Sequence, residues 1–147
     1  MKILFSIITL FWLSTSFAQV VEPVKWTTSL EKVSDTEYDI IITAKIDKGW
    51  HLYSQYNPDG ASLPIEFDSD QVGETFEFVG KAKESKTEKE YNKIWDKEEI
   101  FFVENAELKQ RIKLKDKSTT KIEILLFGQV CKDACLQVEE TFNFDLK

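Results

Sequence analysis

Short runs of alternating apolar and polar residues constrain this chain more than any other feature. The clearest run is Glu37 to Ile46, where Ile40, Ile42, Ala44 and Ile46 fall on one face of an extended strand. Val24 to Leu30 alternates weakly, Trp50 to Tyr53 resumes a strand after the turn residues Asp47-Lys48-Gly49, and Glu74 to Val79 puts Phe76 and Phe78 on one side. Pro64 limits Ser62 to Phe67 to an edge strand or a strand start. Further on, Glu99 to Val103 is a compact apolar strand, and Leu108 to Lys115 points Leu108, Ile112 and Leu114 inward. Thr120 to Phe127 carries Ile122, Ile124 and Leu126, and Thr141 to Leu146 carries Phe142, Phe144 and Leu146. No segment holds helical periodicity for more than two turns. The pattern predicts an all-β chain, an antiparallel β-sandwich of about eight or nine strands.

The first residues are of a different kind. Met1-Lys2, an apolar run from Ile3 to Leu13 and the small-residue exit Ser14 to Ala18 have the layout of a secretory signal peptide, so residues 1–18 are expected to be removed after Ala18. Residues 19–147 then form one domain of common size. The formal charge of −7 argues against nucleic acid and anionic membrane surfaces as partners. An exported, oxidising location makes a disulfide the default state of a cysteine pair.

The only two cysteines are Cys131 and Cys135, inside Phe127-Gly128-Gln129-Val130-Cys131-Lys132-Asp133-Ala134-Cys135-Leu136. In an extended chain they would lie roughly 13 Å apart, whereas a disulfide requires Cα atoms roughly 4.4–6.8 Å apart. Bonding therefore calls for a tight loop or a single helical turn. So small a ring stabilises a fold by about 2 kcal/mol at most on the chain-entropy model, which makes it a weak staple. Three readings stay open: a reversible dithiol/disulfide, a structural clip, and a metal site. With His51 as the single imidazole, a zinc site would lack its fourth ligand, and no metal or other cofactor is expected.

His51 and Tyr53 share a strand face and could flank a reactive thiol, the imidazole by taking its proton and the phenol by shielding it. An ordinary half-buried strand position is the plainer alternative. No nucleophile elbow or oxyanion loop marks a serine hydrolase, and the five glycines are too scattered to cradle a phosphate. Lys81 to Lys93 is dense in charge and reads as a loop or frayed hairpin end. Tyr91, Ile94 and Trp95 at its close are apolar enough that they should fold back onto something.

Taken together, these stretches resemble the N-terminal periplasmic domain family of the thiol:disulfide interchange protein DsbD, the disulfide bond corrector domains. Gly49-Trp50-His51-Leu52-Tyr53 looks like the family's aromatic strand, Asn57 to Pro64 like the loop after it, and Val130 to Phe144 like its closing segment. The resemblance implies an immunoglobulin-like sandwich whose cysteines cycle between dithiol and disulfide. The electrons would pass from a thioredoxin-like or membrane donor to oxidised periplasmic proteins, in processes that include cytochrome c maturation. It implies that Cys135 forms the mixed disulfides and Cys131 resolves them. It further implies that a cap loop, here Ile94-Trp95, shields the pair, with His51 and Tyr53 lining the site. The chain is expected to act as a monomer.

Two departures from the family pattern stand out. Three residues separate these cysteines where the family usually has four or five, and Leu136-Gln137-Val138 lacks the usual Pro-Pro. The chain also ends at Lys147 without the membrane carrier and thioredoxin-like domain that accompany this module, so its reductant is expected to be a separate polypeptide. The competing class is a non-catalytic β-sandwich binding module in which the same bond is a structural clip.

Overall fold

In the computed structural model, which describes residues 21–146, the alternating runs become eleven strands. They are β1 (Val24–Lys32), β2 (Glu37–Ile46), β3 (His51–Tyr53), β4 (Glu66–Asp68), β5 (Phe76–Phe78), β6 (Lys83–Glu84), β7 (Glu88–Asn92), β8 (Lys97–Phe102), β9 (Asn105–Leu114), β10 (Lys121–Cys131) and β11 (Cys135–Asp145). One sheet runs β1-β2-β9-β5 with β6 also on β9, and the other runs β11-β10-β3-β8-β7 with β4 also on β10. All the strand pairings are antiparallel. This is the expected sandwich, and its fold is immunoglobulin-like. The predicted leader lies outside the described residues.

The strand count exceeds eight or nine because of β6 and β7, which fall in the charged run. β7 is the outer strand of its sheet, and Glu88 to Tyr91 are exposed, so it has no apolar face to betray it. Charged side chains on an edge also discourage a second chain from pairing there.

The facing surfaces of the two sheets bury what the alternation selects. Ile40, Ile42 and Ala44 of β2, Leu108 and Ile112 of β9, and Ile122, Ile124 and Leu126 of β10 are almost wholly buried in one cluster. Gln110 shares the inward face of β9 and is buried too, with its amide donating to the carbonyls of Gly80 and Arg111. Aromatic pairs join the sheets at both flanks. Trp26 of β1 meets Phe142 of β11 edge to face at 6.1 Å, and Phe67 of β4 meets Phe78 of β5 at 6.5 Å.

β10 carries no side chain at Gly128, and Ile65 fills that space. A Cβ there would stand 3.3 Å from Ile65 Cγ1 and 3.7 Å from the Pro64 carbonyl oxygen. The close approach draws the segment after β3 down onto the second sheet. Buried polar groups hold that segment. The Asn57 amide donates to the Ser62 carbonyl and its oxygen accepts from Ile100 N–H, while Gln55 exchanges two hydrogen bonds with the backbone of Ala82.

Candidate thiol–disulfide site

β10 runs without a break into Cys131, and β11 starts at Cys135. Between them lies a three-residue hairpin loop, Lys132 to Ala134, in which Lys132 N–H donates to the Ala134 carbonyl at 3.1 Å. Of the two conformations open to this stretch, the tight loop is the one adopted. It sets Cys131 directly opposite Cys135, with Cα atoms 4.1 Å apart and a disulfide between them.

The two cysteines have different surroundings. Cys131 is buried and Cys135 exposed. β3 explains the difference, because it pairs His51 with Cys131 and Leu52 with Val130, and β8 in turn pairs Phe101 with Tyr53 and Phe102 with Leu52. Leu52, Phe102 and Val130 enter the main core, so His51, Tyr53, Phe101 and Cys131 occupy the opposite, outer face of the sheet. There Tyr53, Phe101 and Cys131 form a second small buried cluster with Val103 packed against it. The His51 ring stacks on Phe101 at 4.0 Å, and Tyr53 meets the same ring edge-on at 6.2 Å. Burial raises the Tyr53 pKa, opposed by a hydrogen bond from Ser62 and reinforced by the carboxylates of Glu99 and Glu90. The phenol therefore stays neutral at physiological pH.

A groove of about 350 Å³ opens over Cys131, walled by His51, Tyr53, Tyr91, Ile94 and Phe101 among others. Its far wall is the β7–β8 hairpin. Ile94 thus borders the groove, whereas Trp95, in the same turn, is not among its lining residues. The expectation that the apolar residues of this turn fold back is corrected: Ile94 is 84% exposed, and Tyr91 and Trp95 are exposed as well. Local polar bonds set the turn instead. Asn92 Oδ1 accepts from Ile94 N–H at 2.9 Å, the Tyr91 hydroxyl donates to the Asp96 carboxylate, and Asp96 has a φ of 55°. At the opposite rim Gly49 adopts a φ of 84° in the turn before β3, and the stem of Lys132 lies over it, 3.2 Å from where a Cβ would be.

Sequence reasoning misses Glu99 as part of this site. It is buried at 4% exposure, lines the groove, and accepts from Ser62 N–H at 3.0 Å and from the Asn92 amide at 2.7 Å. Its only sequence signal is a charged residue two positions before Phe101 in a compact apolar strand, which sets both on the same outer face. Among the described residues, no group of three or more His, Cys, Asp or Glu is arranged to hold a metal ion.

An immunoglobulin-like sandwich with a half-buried, half-exposed cystine at a hairpin end defines the class of protein. Residues 18–146 match the family described as "Thiol:disulfide interchange protein DsbD, N-terminal", and the chain belongs to that family. Among solved structures it is similar to the N-terminal periplasmic domain of ScsB from Proteus mirabilis, with a TM-score of 0.61 and 14% identity over 85% of this chain and 47% of that one. The chain thus spans about half the length of that structure. It is also similar to the reduced DsbD N-terminal domain of Neisseria meningitidis, with a TM-score of 0.53 and 16% identity over 82% of this chain and 84% of that one. No curated protein matches it at a significant level.

Proposed function

We propose that this chain is an exported, periplasmic thiol–disulfide interchange domain that relays reducing equivalents through Cys131 and Cys135. The observation that carries the reading is the unequal exposure of the two cysteines, in a chain that belongs to an interchange family. A donor thiolate attacks Cys135 Sγ, forming a mixed disulfide and releasing Cys131 as a thiolate. The donor's second thiol then attacks the mixed disulfide and frees Cys135. The donor dithiol is oxidised to a disulfide, and this pair gains two electrons and two protons. In the second half of the cycle the Cys135 thiolate attacks an oxidised substrate protein, and Cys131 resolves the mixed bond to release the reduced substrate.

The flanking residues have matching roles in this scheme. His51, in register with Cys131, takes up the proton exchanged by that thiol, Tyr53 and Phe101 shield the buried cysteine, and Ile94 at the groove's edge, with Trp95 beside it in the turn, serves as the cap. A separate thioredoxin-like or membrane protein acts as donor. A purely structural clip fits the geometry less well, because the bond joins residues already paired by the hairpin ladder.

Equilibrium titration of the mature protein against glutathione and a thioredoxin, read by thiol trapping, tests the proposal. A midpoint of about −270 to −180 mV is expected. A bond that resists both reductants would instead establish a clip.

A further inference from the structure

The groove over Cys131 is bordered by the turn of the β7–β8 hairpin, and one buried carboxylate of β8 bonds to the residue that leads into that turn. Glu99 accepts twice, from Ser62 N–H at 3.0 Å and from Asn92 Nδ2 at 2.7 Å. An ionised carboxylate can only accept, so Asn92 must present its amide nitrogen to Glu99. That choice turns Asn92 Oδ1 the other way, where it accepts from Ile94 N–H at 2.9 Å. The donor–acceptor order therefore propagates from Ser62 at the end of one loop, through Glu99 and Asn92, to Ile94 in the turn beside the groove. Nothing else in the interchange scheme uses Glu99, although it is buried and lines the same groove as Cys131.

We infer that Glu99 is a positioning residue that, through Asn92, fixes the Lys93–Ile94 segment bordering the groove and so confines thiol chemistry to Cys135. The inference rests on the interchange reading for its purpose, but its geometry can be tested independently. In Glu99→Gln one of two facing donors loses its acceptor. Should Asn92 rotate to recover that bond, its oxygen leaves Ile94. Asn92→Asp sets a second carboxylate against the first. The two changes together restore a consistent order. The amide introduced on β8 accepts from Ser62 N–H and donates to the carboxylate introduced on β7, whose other oxygen accepts from Ile94 N–H.

Alkylation of the fully reduced, full-length protein with iodoacetamide measures the outcome. Trypsin cuts after Lys132, so the two cysteines fall in separate peptides and their labelling is read individually by mass spectrometry. The native protein should be labelled at Cys135 with Cys131 protected. Each single variant should raise the Cys131-to-Cys135 labelling ratio about tenfold, and the double variant should return it close to native. Asn92→Ala, a change at the hairpin edge that removes both ends of the bridge, should raise the ratio too and serves if a buried variant fails to fold. Singles that match the native ratio, an unchanged Asn92→Ala, or a double variant no better than the singles overturns the inference. Because alkylation requires no exchange partner, those results leave the relay standing. A protein that will not exchange with thioredoxin yet shows the predicted ratios overturns the relay alone.

Discussion

Asp39 of β2 and Arg111 of β9 are register partners on the first sheet, and the guanidinium donates to both carboxylate oxygens at 2.7 and 2.9 Å. Asp39 is buried, and Arg111 is the chain's single arginine. The arginine hydrogen bonds hold the Asp39 pKa below its ordinary value against the opposing effect of burial, with the Arg111 and Lys109 charges assisting. A lowered folded-state value means the pair contributes fully above the unfolded carboxylate value of about 3.9, and that contribution is lost as pH falls through the lower folded value. Asp39→Asn should lower the thermal midpoint at pH 7 by roughly 5 °C and flatten its fall in acid, as followed by circular dichroism from neutral pH to below pH 3. An acid limb as steep as the native one would assign acid sensitivity to other carboxylates. Residue-level pairings of this kind are not legible in the sequence. With 26 acidic residues, only the register of β2 on β9 selects Asp39, and only the structure reveals Glu99 as a buried acid lining the groove.

The strands themselves are more readily legible. Alternation alone bounds β2 from Glu37 to Ile46, and the inward residues of β9 and β10 follow from the same period. Alternation fails where the environment stops being two-sided. β7 faces solvent along most of its length, and β10 continues past Phe127 through Gly128, whose missing side chain is replaced from outside by Ile65. The β10–β11 hairpin therefore reaches the cysteines, joined by eleven residue pairs from Lys121–Asp145 to Cys131–Cys135. A bond at the end of so long a ladder adds little. Cys131→Ala/Cys135→Ala should cost no more than about 2 kcal/mol in urea unfolding and leave the far-ultraviolet spectrum unchanged. A loss well above that, or loss of the fold, would make the cystine a structural element and count against the relay.

For the whole molecule, the sandwich places its closure far from its cystine. Trp26 and Phe142 bring the edge strands β1 and β11 together, each half-buried against the main core. Phe142 stands seven positions along β11 from Cys135, about 23 Å of extended strand. The cystine packs instead on the small cluster of Tyr53, Phe101 and Cys131 on the outer face, separated from the main core by the sheet itself. Effects of changes this far apart, with no shared partner, should add independently. Trp26→Ala removes a large aromatic surface and the edge-to-face contact, and should cost about 2–3 kcal/mol of global stability. Its redox midpoint, and the rate at which thioredoxin reduces it under native conditions, should match the native protein. A shifted midpoint at unchanged fold would show that the closure of the sandwich is coupled to the cystine, and that the sheet transmits strain along β11 instead of isolating the site from it.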